Sequence, residues 1–161
     1  MSEIIWRTLA VGVGATLAMD IWAVLLKQVY GVSGLDYRMV GRWLGHLAHG
    51  QMSHDAIGRA PPVPAEALIG WAAHYAIGIA FAAGLVVIWG EDWLQSPAVA
   101  PALMMGLITV AAPFLILQPA LGLGLAASRT PNPMQARLRS IVTHLVFGTG
   151  LYVAGRLTAA L

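Results

Sequence analysis

Long stretches without a charged residue dominate this sequence and limit what the chain can fold into. Residues 93–128 contain no Asp, Glu, Lys or Arg, and the 161 residues as a whole are 58% hydrophobic and only 10% charged. A soluble domain carries about 25% charged residues. Because so few polar side chains cannot cover a surface exposed to water, lipid must be the solvent for much of this protein.

Four segments are apolar enough to cross a bilayer, whose hydrocarbon core is about 30 Å thick and requires about 20 apolar residues in a helix. They predict spans at about 5–27, 67–89, 98–127 and 139–160. Pro113 and Pro119 predict a kink or an irregular half in the third span. The first segment lacks a convincing cleavage site, so we interpret it as a retained helix. The expected fold is all-α, a four-helix transmembrane bundle that forms one integral membrane domain over residues 1–161.

Basic residues near the helix ends predict the orientation of the chain. On one side of the membrane, the only basic residues near the helix ends are Arg7 and Arg156. The other side receives seven basic residues, which are Lys27, Arg38, Arg42, Arg59, Arg129, Arg137 and Arg139. This excess predicts that loops 28–66 and 128–139 are cytoplasmic and that both termini lie on the outer, periplasmic side of a bacterial inner membrane.

The long first loop, residues 28–66, contains an amphipathic pattern. Its apolar positions recur near helical spacing at Leu35, Met39, Trp43 and Leu47. Ser33 with Asp36 resembles a capping box, so we predict a short interfacial amphipathic helix over 34–48 on the cytoplasmic membrane surface. Three arginines of this loop are expected to contact lipid headgroups or another anion: Arg38, Arg42 and Arg59.

Each predicted span contains one polar residue at depth, and the four are Asp20, His74, Gln118 and His144. With a rise of 1.5 Å per residue, Asp20, His74 and His144 lie roughly 11, 12 and 8 Å from the cytoplasmic ends of their helices, and Gln118 roughly 17 Å. Each also lies on a stripe of small residues, which favours the inside of a bundle. The four side chains are therefore expected to form one intramembrane polar layer.

Several functions fit this polar layer. Asp20, His74 and His144 form the ligand set of non-haem iron and some zinc sites, with Gln118 as a supporting hydrogen-bond donor. His74 and His144 could instead be axial ligands of a haem, with nearby glycines making room for the ring. Proton relay through Asp20 and the histidines, or binding of a small ligand, fits as well. A hydrogen-bonded network that only fixes helix packing is the interpretation without a ligand.

A weaker pattern is formed by the loop histidines His46, His49 and His54. His46 and His49 would share one helix face and could bind a metal ion, although solvated surface histidines explain the pattern as well. The absence of cysteine excludes thiolate chemistry, and a net charge of +2 is too small to indicate a nucleic-acid partner.

Short motifs throughout the chain resemble those of a known family. They are Met19-Asp20-Ile21-Trp22, Gly41-Arg42-Trp43, Gly70-Trp71 with His74-Tyr75, Gln118-Pro119 with Gly122 and Gly124, Ser128-Arg129-Thr130-Pro131, and Thr143-His144 with Phe147-Gly148. The chain resembles a family of small bacterial inner-membrane proteins known only as a domain of unknown function. The resemblance implies a four-span membrane protein and includes the four intramembrane polar residues, but it implies no activity.

The leading hypothesis from the sequence is an inner-membrane protein whose polar layer binds a metal, a haem or a small ligand, or relays protons. One alternative is a small proton-coupled transporter that acts as a dimer, since four spans rarely enclose a pathway alone. This alternative has an analogy in small multidrug exporters, which carry an acidic residue in the first of four spans. Another is a structural or accessory membrane subunit. The expected partners are the bilayer, a second copy of the chain and an unknown small molecule.

Overall fold

The computed structural model describes residues 1–161 and contains helices but no strands. Five helices follow one another: α1 (Ser2–Tyr30), α2 (Tyr37–Leu47), α3 (Glu66–Trp89), α4 (Val99–Ala120) and α5 (Pro133–Ala159). Short 3₁₀ segments lie in the connections at Ile57–Arg59, Glu91–Leu94 and Leu125–Ala127. The predicted all-α fold class is confirmed.

Three of the predicted spans correspond to helices that are long and apolar enough to cross a membrane, namely α1, α3 and α4. This finding indicates a membrane protein. α5 is long enough at 27 residues, but arginines near its two ends make it less apolar, and it is not among the three. The fourth span, the inner membrane and the orientation of the termini therefore stay predictions.

The third span is irregular, as its prolines predicted. Regular α-helix ends at Thr109, and a π-helical turn occupies Pro113–Leu117. Proline has no N–H to donate and its ring crowds the carbonyl four residues earlier, so regular helical hydrogen bonding cannot pass through it. The predicted end of this span near residue 127 is wrong, because the helix ends at Ala120 and Gly122 turns the chain with φ +90°.

The amphipathic helix predicted in the first loop is present as α2. Its N-terminus is capped by Asp36, whose side chain accepts a hydrogen bond from the backbone N–H of Arg38 at 3.0 Å. The predicted capping box at Ser33 is therefore wrong, and the helix begins at Tyr37. An Asp at this position satisfies one of the N–H groups that the first helical turn leaves without a partner.

The first of two compact units comprises Met1–Gly34, Tyr75–Thr109 and Val142–Leu161. Its helices pack through small residues. A Cβ added at Gly12 would lie 2.5 Å from the Cα of Ile79, and a Cβ at Gly150 would lie 2.8 Å from the Cα of Ala15. Small residues allow this close approach of helix backbones in membranes, where apolar side chains gain little by leaving lipid. The prediction that small-residue stripes face the protein interior is confirmed in this unit.

The second unit comprises Leu35–His74 and Val110–Ile141. Within it, α2 crosses the first turns of α3 with no space for a side chain at the crossing. A Cβ added at Gly41 would overlap the carbonyl oxygen of Glu66, and one at Gly70 would overlap the carbonyl oxygen of Tyr37. One face of α2 is therefore covered by α3, which the amphipathic pattern alone did not predict.

The glycine crossing predicts a strong effect of one added methyl group. Gly41→Ala should lower the melting temperature in detergent by about 2–12 °C, because overpacking costs about 1–3 kcal/mol and each kcal/mol lowers Tm by about 2–4 °C in a chain of this size. Gly58→Ala is the matched control, since no atom lies within 4 Å of a Cβ added at that glycine. Equal melting temperatures for the two variants would contradict the packing described here.

Candidate functional site

The polar residues predicted inside the spans lie on four different helices, as expected. Asp20 and His144 belong to the first unit, whereas His74 and Gln118 belong to the second. Each of the four has a side-chain hydrogen bond within its own unit. No group of three or more His, Asp or Glu side chains is placed to hold a metal ion.

Asp20 pairs with a tyrosine that the sequence did not single out. The hydroxyl of Tyr75 donates a hydrogen bond to Oδ2 of Asp20 at 2.8 Å, and both side chains are half-buried. The contact follows from the crossing of α1 and α3, where Thr16 occupies the space that a Cβ on Gly78 would fill. Asp20 comes one turn after Thr16, and Tyr75 comes nearly one turn before Gly78, so the antiparallel helices bring them together.

His144 pairs with a threonine on α4. The hydroxyl of Thr109 donates to the carbonyl oxygen of Gly106 at 2.8 Å. The hydroxyl oxygen of Thr109 also lies 2.9 Å from Nδ1 of His144. A threonine hydroxyl has a single hydrogen to donate, so Nδ1–H of His144 donates to Thr109. This arrangement leaves Nε2 of the neutral imidazole with a lone pair, able to accept a proton.

The packing of α5 on α1 places Asp20 and His144 near one level of the first unit. A Cβ on Gly14 would lie 2.8 Å from the Cβ of Ala154, and a Cβ on Gly150 would lie 2.9 Å from the Cβ of Ala18. The two helices are therefore antiparallel. Extending this register puts His144 within about four residues, or about 6 Å along the axis, of the position opposite Asp20.

In the second unit, His74 belongs to an aromatic cluster. The hydroxyl of Tyr37 lies 3.0 Å from Nε2 of His74, and the two rings stack with centroids 4.1 Å apart. Trp71 packs on Tyr37 with a centroid separation of 4.6 Å. The first residue of α2 is thus held against the second and third turns of α3 by aromatic contacts as well as by the glycine crossing.

Gln118 is 9% exposed and lies at the end of α4 in the second unit. Its Nε2 donates to Oγ of Ser140 at 3.2 Å, whereas its Oε1 is buried without a hydrogen-bond partner. The predicted role of Gln118, as a supporting donor to Asp20, His74 and His144, stays a prediction. The unpaired carbonyl is an acceptor that a proton-donating group could satisfy.

The three loop arginines do not share one environment. Arg42 is 7% exposed and binds Glu66 with two hydrogen bonds, Nε to Oε2 at 2.8 Å and Nη2 to Oε1 at 3.0 Å. Arg38, which is largely exposed, also donates to Oε1 of Glu66, and Arg59 is exposed to solvent. The hydrogen bond to Glu66, against the opposing effect of burial, raises the pKa of Arg42 above its usual value.

The expectation that these arginines contact lipid headgroups or another anion stays a prediction, and the Arg42 guanidinium is bound by the carboxylate of Glu66. No partner of Arg42 could be identified from the sequence, because Glu66 follows 24 residues later, after a proline-rich segment. Glu66 is the first residue of α3, where a carboxylate is favoured by the helix dipole, and this position was the available signal. The proximity of Arg42 to Glu66 depends on the α2–α3 crossing, which only the structure shows.

The pair of Arg42 and Glu66 predicts a particular pattern of stability. Glu66→Gln leaves the buried guanidinium of Arg42 without a counter-charge. The melting temperature of this variant should therefore fall further below that of the wild type than the melting temperature of Gly41→Ala does. The double variant Arg42→Gln with Glu66→Gln should recover part of the loss, because no unpaired charge remains. Glu3→Gln is the control, since the Glu3 side chain is 66% exposed in its ion pair with Arg7. If the fall in melting temperature of the double variant equalled the sum of the falls in Arg42→Gln and Glu66→Gln alone, the two residues would not stabilise each other.

Comparison with known proteins gives the relationship of the chain but no activity. No curated protein and no solved structure matches it. Residues 9–158 match a family described as "Protein of unknown function (DUF2938)", and this range includes Asp20, His74, Gln118 and His144. The resemblance inferred from the short motifs is thus confirmed, and the chain belongs to the DUF2938 family.

Proposed function

We propose that the protein binds and releases a proton inside the membrane at Asp20, as the titrating step of a proton-coupled process such as the movement of a small molecule. The hydrogen bond between Asp20 and Tyr75 carries the proposal. In this proposal α5 provides a fourth span, and both termini lie on the outer side of a bacterial inner membrane. The uncharged stretch 140–155 supports the span, because it is about 24 Å long and the flanking arginines can snorkel to the interfaces.

The environment of Asp20 supports a proton-exchanging role. A charged Asp at the centre of a membrane helix costs about 2.5–3.5 kcal/mol, which favours the neutral acid. The hydroxyl of Tyr75 donates to the carboxylate, and a hydrogen bond to an ionised group favours the charged form. A hydroxyl group both donates and accepts, so Tyr75 can remain the hydrogen-bond partner of Asp20 as a carboxylate and as a neutral acid.

Within the first unit, we assign the exchange of the proton with Asp20 to His144. It lies near the same level, and the bond of its Nδ1–H to Thr109 leaves Nε2 as the accepting nitrogen. A neutral imidazole that can accept and later release a proton is the usual partner of a carboxylate in membrane proton relays. Thr109 then acts as a positioning residue, which fixes the tautomer and the ring orientation.

The metal and haem interpretations have less support from the geometry. A metal ion held by protein ligands would need Asp20, His74 and His144 grouped together, and no group of three such side chains is placed for this. The haem interpretation relied on space beside Gly78 and Gly148. Thr16 occupies the first of these spaces, and a Cβ at Gly148 would lie 2.7 Å from the carbonyl oxygen of Ala102.

A carbodiimide experiment tests the proton site directly. Dicyclohexylcarbodiimide is apolar and reacts with the neutral form of a carboxylic acid, so mass spectrometry should find Asp20 labelled at low pH and progressively less labelled as the pH rises. Asp20→Asn should abolish this label. In Tyr75→Phe, the labelling should persist to higher pH, because the bond that stabilises the ionised form is lost. Asp36, which is exposed outside the spans, is the internal control.

Two outcomes would overturn the proposal. Absence of label at Asp20 across the whole pH range would mean that the carboxyl does not become neutral in an accessible apolar site. A label that does not vary with pH would mean that Asp20 stays neutral and only fixes helix packing. Either result would favour the structural or accessory role instead.

A further inference from the structure

The histidines of the first loop form a pair that differs from the one suggested by their spacing. The rings of His46 and His54 are in contact, with centroids 5.0 Å apart and planes at 79°. His49, which was expected to share a helix face with His46, follows the end of α2, is exposed and donates from Nδ1 to the carbonyl oxygen of Gly45. Both residues of the observed pair lie in the second unit.

His54 is a buried imidazole without a hydrogen bond. It is 9% exposed, and neither Nδ1 nor Nε2 has a partner. A buried polar nitrogen is almost always paired in a protein, so two such atoms in one side chain require an explanation. An imidazole nitrogen with a free lone pair is a good ligand for zinc, copper or nickel.

The backbone fixes the position of His54. Its N–H donates to the carbonyl oxygen of Ala120 at 2.9 Å, and the N–H of Ile57 donates to that of Leu121 at 3.2 Å. The carbonyl groups of His54 and Asp55 pack directly on Gly122, where a Cβ would overlap them. The loop is thus attached to the segment that follows α4, and His54 is held in place before any ligand arrives.

His46 is oriented in the manner of a metal ligand. Its Nε2 lies 2.9 Å from the carbonyl oxygen of Pro61, to which it donates its hydrogen. Metal-binding histidines commonly donate one ring N–H to a backbone carbonyl, which leaves the other nitrogen unprotonated and free to bind. In His46 that free nitrogen is Nδ1.

We propose that His46 and His54 bind one divalent transition-metal ion of the zinc, copper or nickel class, with water completing the coordination. With a metal–nitrogen distance of about 2.1 Å, two imidazoles at a tetrahedral angle have ring centroids about 5 Å apart. The observed separation is 5.0 Å. Because only two protein ligands take part, the ion exchanges with solvent, and this site is independent of the proton site at Asp20.

Copper titration tests the proposal. The full chain is purified in detergent without a polyhistidine tag and stripped with chelator, and Cu²⁺ is then followed by calorimetry and electron paramagnetic resonance. We expect one Cu²⁺ per chain with hyperfine coupling to two imidazole nitrogens. His46→Gln and His54→Gln should each weaken binding by about tenfold or more, whereas His49→Gln, the matched control, should leave affinity unchanged.

Other results would contradict the metal site at His46 and His54. Absence of stoichiometric binding by the wild type would overturn the proposal. Binding that survives His54→Gln but is lost in His49→Gln would also overturn it, in favour of the pair suggested by spacing. Should His54→Gln fail to fold, His46→Gln serves alone, because His46 is only half-buried. Zn²⁺ should raise the melting temperature of the wild type and not that of His46→Gln.

Discussion

Close backbone contact at glycine is the interaction on which the rest of this structure depends. Lipid is as apolar as a leucine side chain, so helices in a membrane gain little from burying large apolar residues and associate instead through tight packing and hydrogen bonds. The first unit uses Gly12 and Gly150 for this purpose, and the second uses Gly41 and Gly70. The pair of Asp20 and Tyr75 lies within a few turns of the Gly12 crossing, and Arg42 and Glu66 lie at the Gly41 crossing, so these crossings set which side chains can meet.

The polar groups follow one rule: each ionisable side chain at depth has a neutral hydroxyl partner. Asp20 has Tyr75, His144 has Thr109 and His74 has Tyr37. Hydroxyl groups both donate and accept, so such a pair tolerates a change in protonation without breaking. The pair of Arg42 and Glu66 is different, because two full charges satisfy each other and neither can change protonation cheaply. In the proposed proton exchange, the hydroxyl-paired residues are therefore the candidates.

The sequence predicted the helices well and the contacts poorly. The length and hydrophobicity of a segment can be read from that segment alone, so α1, α3 and α4 could be recognised. The prolines predicted the irregular part of α4. The small-residue stripes also identified inward faces. The partners of Asp20, His144 and Arg42, which are Tyr75, Thr109 and Glu66, could not be predicted. A contact between helices depends on their register and crossing angle, and the sequence of one segment does not determine either. The partner of Arg42 was missed for the same reason.

The attachment of α2 to α3 has a consequence for how the chain assembles during synthesis. The bond from Arg42 to Glu66 joins residues 24 apart, whereas the bond from Tyr75 to Asp20 joins residues 55 apart. Shorter loops close with a smaller entropy loss, and chains fold their early segments while later ones are still being made. The α2–α3 hairpin can therefore close as soon as both helices have left the ribosome. Glu66 can then acquire its counter-charge before α4 is synthesised, so its carboxylate is paired early in the formation of the chain.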